Sequence, residues 1–225
     1  MFYRIQSIRN KEITGVNDVQ SETAFSPINI WDPLHINQWI GKEIPDYAVI
    51  PIPKIKIKAK LTDLMSVYFF GSSFKLTISN KLKLIFEKYS RDKIQYLPIV
   101  MQQSGKQVDG YWITNILDFD NEKTINYSLS EVVREGKGYN EFEKLDIVSY
   151  HQHLFERQKE RDTYLNECRP IVLRKLVFKN ELELELIMIN FIQEGGVGYY
   201  VSESLKKILE EEGCTGIDFV PVLQG

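Results

Sequence analysis

The feature that most constrains the fold is a 23-residue stretch that occurs twice in the chain. The later copy, residues 201–223, reads VSESLKKILEEEGCTGIDFVPVL, and the earlier copy, residues 78–100, reads ISNKLKLIFEKYSRDKIQYLPIV. A shift of 123 residues superposes them without a gap and places Ser79 on Ser202. In each copy a serine precedes apolar residues at helical spacing, and an apolar strand follows. The sequence therefore predicts the same helix-turn-strand segment in both halves.

The later copy carries the clearest local signals. Ser202 is a good helix cap, because its hydroxyl can accept a hydrogen bond from a free first-turn amide. Leu205 and Leu209 fall on one face of the predicted helix, and Gly213 stands where a residue of positive φ would end it. Residues 217–222 then predict a buried final strand.

Few helices and many strands predict an α+β protein with antiparallel strands. We expect two pseudo-repeated halves, residues 1–107 and 108–225, which share one core and divide near residues 105–110. A chain of 225 residues with 43% apolar residues can bury such a core without disulfides or structural metal ions. Cys168 and Cys214 lack C-x-x-C spacing, which predicts two reduced thiols, with a disulfide as the open alternative.

No apolar run is long enough to span a membrane, and residues 1–10 lack the apolar core of a secretory signal. We therefore expect a cytoplasmic protein. Trp31 and Trp39, in the loop-rich segment 10–48, are expected to pack that segment onto the body, with ligand stacking as the alternative. Residues 47–60 alternate between apolar and polar but contain two prolines, which predicts an edge strand or, for the first part, an extended segment outside a sheet.

The remaining pattern predicts two strand pairs, one loop or hairpin tip and one charged stretch. Residues 94–101 and 107–117 are expected to pair antiparallel, residues 134–146 to form a loop or hairpin tip, and residues 171–178 and 184–192 to form a hairpin. The charged residues 150–167 predict either a solvated helix or a mobile loop.

Two patterns give alternatives that involve a ligand. His151 and His153 would face the same way on a strand and could share a metal with Asp146, but on a helix they would diverge. Lys54, Lys56, Lys58 and Lys60 could contact phosphates as one stripe, although the stripe has no aromatic or arginine companions.

The sequence assigns no catalytic residue and no cofactor. Gly195-Gly196-Val197-Gly198 matches no phosphate-loop motif and predicts a turn from strand to helix. The glutamates upstream of Cys214 are expected to raise the pKa of its thiol and make it less reactive.

Charge is distributed unevenly along the chain. Residues 1–112 hold 15 Lys and Arg against 10 Asp and Glu, whereas residues 113–225 hold 13 against 21. The acidic second half argues against nucleic-acid binding there and favours a basic protein partner. The candidate partner-binding residues are four acids at the end of the chain: Glu210, Glu211, Glu212 and Asp218.

The closing segment resembles the C-terminal hallmark of a bacterial α/β immunity-protein family of polymorphic-toxin systems, formerly a domain-of-unknown-function family. That hallmark is a serine-capped helix, a turn and a T-G-x-x-F-x-P-V strand. The matching residues are Ser202, Leu205, Leu209, Thr215, Gly216, Phe219, Pro221 and Val222. Weaker likenesses are NILDFD at 115–120 followed by Tyr127-Ser128, and Pro45-Asp46-Tyr47 ahead of the Ser79 helix. Residues 54–60 and 150–167 have no counterpart.

The resemblance implies a non-enzymatic cytoplasmic protein that binds and neutralises a cognate toxin effector. It brings no catalytic residues with it, and it leaves the oligomeric state open. The alternatives from the residues are a metal-binding or small-molecule-binding enzyme that uses His151 and His153, and a nucleic-acid adaptor that uses the strand Lys54–Lys60.

Overall fold

The computed structural model describes residues 1–39, 42–69, 75–89, 94–117, 121–136, 141–163, 169–180, 182, 185–192 and 196–222. Within these ranges the chain forms an α+β protein whose strands are mostly antiparallel, as predicted. The strands are β1 (Phe2–Ser7), β2 (Ser21–Phe25), β3 (Ile52–Ile55), β4 (Leu64–Met65), β5 (Thr77–Ser79), β6 (Ile94–Gln103), β7 (Lys106–Ile116), β8 (Glu131–Glu135), β9 (Phe142–Leu145), β10 (Ile171–Lys175), β11 (Leu186–Ile192), β12 (Gly196–Ser202) and β13 (Ile217–Val222). The helices are α1 (Lys11–Thr14), α2 (Asn80–Tyr89), α3 (Asn121–Thr124), α4 (Tyr150–Thr163) and α5 (Glu203–Glu211).

These strands form two sheets. The first has the order β2-β3-β6-β7-β5-β4, and the second has the order β13-β1-β12-β11-β10-β8-β9. The start of the chain belongs to the second sheet, because β1 lies between β12 and β13 and is antiparallel to both. The predicted division between residues 107 and 108 falls inside β7, which stays in the first sheet through its hairpin with β6.

The repeated segment forms a strand-helix-strand unit in each sheet. The chain passes from β5 through α2 to β6 across the intervening β7, and from β12 through α5 to β13 across the intervening β1. In both units the middle strand runs antiparallel to its two neighbours. The likeness therefore extends beyond sequence to the order and direction of these strands.

Both helices begin at the predicted serine. The Ser79 hydroxyl accepts from the Leu82 N–H at 3.2 Å, and the Ser202 hydroxyl accepts from the Leu205 N–H at 3.0 Å. The predicted apolar faces are buried, with Leu82 and Phe86 on α2 and Leu205 and Leu209 on α5.

A repeat of whole halves is not confirmed. Outside the two units the strands differ, since β2 and β3 extend the first sheet whereas β8, β9 and β10 extend the second. Helices α3 and α4 lie between β7 and β10 along the chain and have no counterpart ahead of β4. The correspondence that the sequence shows is therefore limited to the units around α2 and α5.

One hydrophobic cluster joins the two sheets. It contains Ile78 and Phe86 from the first unit together with Val201 and Leu209 from the second, and Ile5 of β1 packs in the same cluster. Each of these side chains is buried. The two units therefore share a core instead of burying their helices separately.

A carboxylate also ties the units together. Asp63 accepts hydrogen bonds from the Ser79 hydroxyl at 2.6 Å, the Thr215 N–H at 2.8 Å and the Thr215 hydroxyl at 2.9 Å. Burial tends to raise the pKa of Asp63, but these hydrogen bonds and the charge of Lys81 hold it below its usual value. We call this group of Asp63, Ser79 and Thr215 the clasp.

Three strand predictions are wrong. The strand predicted at an edge, β3, lies inside the first sheet between β2 and β6, with which it forms short, interrupted ladders that tolerate its prolines. The predicted hairpin of β10 and β11 is a parallel pair, because the chain leaves the sheet after Lys175 and bridges Ile125 through Phe178. The last strand, β13, is a half-exposed edge strand.

The segment 10–48 contains more regular structure than its pattern indicated, namely α1, β2 and a 3-10 turn at Ile36–Trp39. The charged stretch forms α4, which resolves the helix-or-loop alternative over residues 150–163. The hairpin predicted around residues 134–146 is present as β8 and β9. None of the described helices combines the length and the apolar character needed to cross a membrane.

The clasp predicts a coupled loss of stability. Asp63→Ala and Thr215→Val should each lower the free energy of unfolding by about 2 kcal/mol, because each removes hydrogen bonds to a carboxylate. The double variant should lose less than the sum, since both changes break the same contact. Urea unfolding measures all three, with Asp109→Ala, an exposed change on β7, as the control. Strict additivity would show that the two residues do not act together.

The glycines after α5 predict unequal costs. Gly216 has a φ of +81°, and a Cβ there would lie 2.4 Å from the Leu64 carbonyl oxygen. Gly213 has a φ of +65°, but nothing lies within 4 Å of the position of its Cβ. Gly216→Ala should therefore cost about 3 kcal/mol and Gly213→Ala about 1 kcal/mol in urea unfolding. Equal costs would contradict a close approach at Gly216.

Candidate partner-binding surfaces

The predicted acidic site is partly neutralised. Glu210 lies 3.4 Å from the Lys206 ammonium, and Asp218 accepts a 2.9 Å hydrogen bond from the Gln6 amide. Glu212 is exposed, but its carbonyl accepts a hydrogen bond from the Lys81 ammonium. This end of α5 is therefore less acidic than the run of three glutamates indicates, although all three glutamates are exposed.

Glu210 has a structural partner that recurs in the other unit. The Lys206 ammonium lies 4.5 Å from the centre of the Tyr3 ring, and Glu210 pairs with it from the next turn of α5. At the equivalent place in the first unit, the Lys83 ammonium lies 4.5 Å from the centre of the Trp112 ring and 2.7 Å from Glu87. Each lysine thus lies on an aromatic ring and pairs at (i, i+4), which stabilises the helix against its sheet.

The two histidines of α4 point in different directions. The side chain of His151 is 78% exposed and its Nδ1 lies 3.7 Å from Glu122, whereas His153 is fully buried. His153 Nδ1 lies 3.4 Å from the Tyr127 hydroxyl, and Nε2 lies 3.5 Å from the Ile171 carbonyl oxygen. The pair cannot share a metal ion, because residues two apart on a helix diverge. Among the described residues, no group of three or more His, Cys, Asp or Glu is placed to hold a metal.

The lysine stripe does not form one face. Only Lys54 lies on β3, and its ammonium is 4.0 Å from Glu22. The chain turns after Ile55, and the Lys60 ammonium donates to the Glu12 carbonyl at 2.7 Å. The period-two alignment that a phosphate-contacting stripe requires is therefore lost.

The cysteine and glycine patterns have structural explanations. Burial raises the pKa of the Cys214 thiol to about 11 against the opposing charge of Lys81, and Asp63 and Glu212 act in the same direction as burial. Cys168 and Gly195 lie outside the described residues. Gly196 begins β12, so the predicted turn into a helix is wrong, and a Cβ on Gly198 would lie 2.5 Å from the Tyr200 hydroxyl.

The structure exposes four large apolar side chains of one segment that the sequence analysis did not assign to a site. Phe25, Trp31, Leu34 and Tyr47 are 66%, 76%, 44% and 63% exposed. We call these four residues the aromatic surface. They lie within residues 25–47. The wider segment 21–50 contains four carboxylates and one lysine. Exposed large apolar side chains with a charged rim are typical of protein interfaces.

This segment is held in place by its own contacts. The Leu34 carbonyl accepts from the Val49 N–H at 2.7 Å, and the Gln38 amide donates to the Ile30 carbonyl at 2.6 Å. The Tyr47 ring meets the Trp39 ring edge-on, with 6.3 Å between their centres. The aromatic side chains are thus presented on an ordered backbone, which lowers the entropic cost of binding.

The two tryptophans therefore differ in role. Trp39 is half-buried and packs against the first sheet, as predicted, but the same prediction is wrong for Trp31, whose side chain is 76% exposed. Sequence reasoning missed the surface because a loop with scattered aromatic residues has no periodicity that marks its exposed side. The concentration of Trp and Tyr beside Asp32 and Asp46 was the available signal.

The residues that carry the family resemblance have structural roles. Ser202 caps α5, Thr215 belongs to the clasp, and Gly216 adopts the φ that this close turn requires. The Ile8 N–H donates to the Gly216 carbonyl. Because backbone groups point toward the partner strand at every second residue, the even-numbered residues of β13 bond to β1 and the odd-numbered ones point away from it. Pro221 therefore removes an N–H from the free edge of the sheet, which hinders pairing with another strand.

Comparisons with protein-family models and with curated proteins find no match to this chain.

Burial of His153 predicts a pH-dependent stability. Burial lowers the pKa of His153 to about 4 from an ordinary value of 6.5. The unfolded chain therefore binds the proton first, so stability is complete above pH 6.5 and falls as the pH drops toward 4. The loss should reach about 3 kcal/mol in urea unfolding across that range. His153→Gln should remove this dependence and His151→Gln should retain it; the reverse would place the titrating group at His151.

Proposed function

We propose that this chain is a non-catalytic cytoplasmic immunity protein that binds a cognate toxin protein and neutralises it. The resemblance of residues 201–223 to the immunity-protein hallmark supports this function. The structural roles of Ser202, Thr215, Gly216 and Pro221 fit it, because a hallmark made of caps and turns identifies a scaffold and assigns no chemistry. On such a scaffold the partner is selected by the exposed surface.

The observation that carries the proposal is the aromatic surface. Trp31 and Tyr47 are large, exposed and attached to an ordered segment, which are the properties of residues that dominate protein interfaces. The carboxylates of Asp32, Glu43 and Asp46 lie beside them in the chain. The surface therefore fits a toxin that presents an apolar pocket with a basic rim.

The acidic end of α5 is a second surface for the same toxin-binding function. Glu211 and Glu212 are exposed there, so a basic region of the toxin could contact them. Glu210 and Asp218 already have partners within the protein, which leaves them less charge to offer. We therefore rank this surface below the aromatic surface.

The function predicts rescue of growth. Co-expression of this protein with the toxin encoded beside its gene should restore growth, and the purified proteins should form a complex. Trp31→Ser and Tyr47→Ser should each weaken that complex about 30-fold, which corresponds to about 2 kcal/mol for an interface anchor. Isothermal titration calorimetry measures the affinity, and urea unfolding checks that the variants remain stable.

Phe155→Ser is the matched control, because Phe155 is an equally exposed aromatic residue (67%) on α4. It should leave affinity and rescue unchanged. If the double variant Glu211→Lys/Glu212→Lys lost binding while Trp31→Ser bound with unchanged affinity, the interface would lie at the end of α5 instead. If the neighbouring gene product stays lethal despite stable co-expression, or proves harmless, the immunity function is wrong.

A further inference from the structure

A tight turn after β3, at residues 56–59, presents an apolar side chain between two lysines. The Ala59 N–H donates to the Lys56 carbonyl at 2.9 Å, so Ile57 and Lys58 occupy the two central positions of the turn. Ile57 is 75% exposed, Lys58 is exposed and Lys56 is half-exposed. The turn therefore offers solvent a large aliphatic group with a positive charge on each side of it in the chain.

The turn is held in place by hydrogen bonds from two other segments. The Gln103 side-chain amide donates to the Lys56 carbonyl at 3.0 Å and to the Ala59 carbonyl at 2.7 Å. Just after the turn, the Lys60 N–H donates to the Thr14 carbonyl of α1 at 2.7 Å. The backbone of the turn is thus already ordered, which lowers the entropic cost of binding through its exposed side chains.

Two further aliphatic side chains are exposed beside the turn. Leu61 follows Lys60 in the chain and is 44% exposed, and Ile13 precedes Thr14 and is 38% exposed. The hydrogen bond between Lys60 and Thr14 places these neighbours in one region of the surface. We call this region the basic-apolar surface, which consists of Ile13, Ile57, Leu61, Lys56, Lys58 and Lys60.

The positive charge of the basic-apolar surface is not neutralised by the described carboxylates. None of them lies within ion-pair distance of the ammonium groups of Lys56, Lys58 or Lys60. Glu12 is the acid of α1, but it meets the Lys60 ammonium through its backbone carbonyl, at 2.7 Å, and not through its carboxylate. This region therefore carries a local positive charge on a chain whose formal net charge is −3.

The composition of this surface distinguishes between classes of anionic partner. It combines aliphatic side chains with lysines and contains no aromatic residue and no arginine. Surfaces that bind single-stranded nucleic acid add aromatic stacking residues, and protein interfaces are rich in Trp, Tyr and Arg and poor in Lys. A lipid surface suits aliphatic groups among lysines, because the apolar groups enter the acyl boundary while the ammonium groups stay at the phosphates.

We propose that the basic-apolar surface binds the surface of an anionic lipid membrane. Ile57 would enter the boundary between headgroups and acyl chains, with Leu61 beside it, and the three lysines would contact the lipid phosphates. Such reversible contact needs no spanning segment. It also needs no lysines in period-two alignment on a strand, because lipid headgroups rearrange around the cations that they meet.

Vesicle flotation tests this surface with the full chain. The protein should float with vesicles of phosphatidylglycerol and phosphatidylcholine in equal parts, and not with vesicles of phosphatidylcholine alone. Since the net charge of the whole chain is negative, the anionic vesicles would repel it without a local basic region. Added salt should weaken binding, because the lysines are largely exposed and screened by ions.

Two variants separate the apolar and the charged contributions. Ile57→Ser should weaken binding to the mixed vesicles about tenfold, because it removes the apolar group that enters the membrane. Lys58→Gln should weaken it about fivefold, because it removes one charge near the phosphates. Phe155→Ser and Lys207→Gln make the same kinds of change at exposed positions on α4 and α5, so both controls should bind as the unchanged protein does.

Several outcomes would overturn the proposal. They are absence of binding to the mixed vesicles, equal binding to phosphatidylcholine alone, and indifference to Ile57→Ser and Lys58→Gln together. Tighter binding to single-stranded DNA or to polyglutamate than to the mixed vesicles, with no effect of Ile57→Ser, would identify a nucleic acid or an acidic protein as the partner instead. None of these outcomes depends on a toxin, so the proposed function can fail or succeed separately.

Discussion

The structure depends above all on the clasp, in which one carboxylate holds together segments that are far apart in the chain. Asp63 and Thr215 are separated by 152 residues, yet Asp63 accepts two hydrogen bonds from Thr215 and returns one through its own N–H. The same carboxylate orients Ser79, which caps α2. The cap of one helix and the turn after the other are therefore set by a single charged group, placed at a helix start where a negative charge is favourable.

The shared core and the clasp explain why the residues that carry the resemblance serve the fold and not a ligand site. Residues 201–223 are largely occupied with capping α5, turning at Gly216 and closing the sheet beside β1. Exposed residues such as Trp31 and Glu211 have no such role. The exposed surfaces therefore select a partner, because exposure and charge can vary there without loss of the scaffold.

Local patterns predicted the parts of the fold that depend on neighbouring residues. The serine caps, the apolar faces of α2 and α5, and the hairpin of β6 and β7 are all present. Partners distant in sequence were not predicted: β1 between β12 and β13, the parallel pair β10 and β11, and the interior position of β3. Strand periodicity shows that a segment is extended, but not which strand lies beside it.

The candidate sites show the same difference between local patterns and contacts distant in sequence. The sequence by itself determined the repeated helix-turn-strand segment, because caps, helical periodicity and turn glycines act within about four residues. Only the tertiary structure decided what those residues contact. It paired Glu210 with Lys206, buried His153 away from His151 and left Trp31 exposed. Exposure and charge partners depend on chain segments that meet only after folding, so no local pattern contains them.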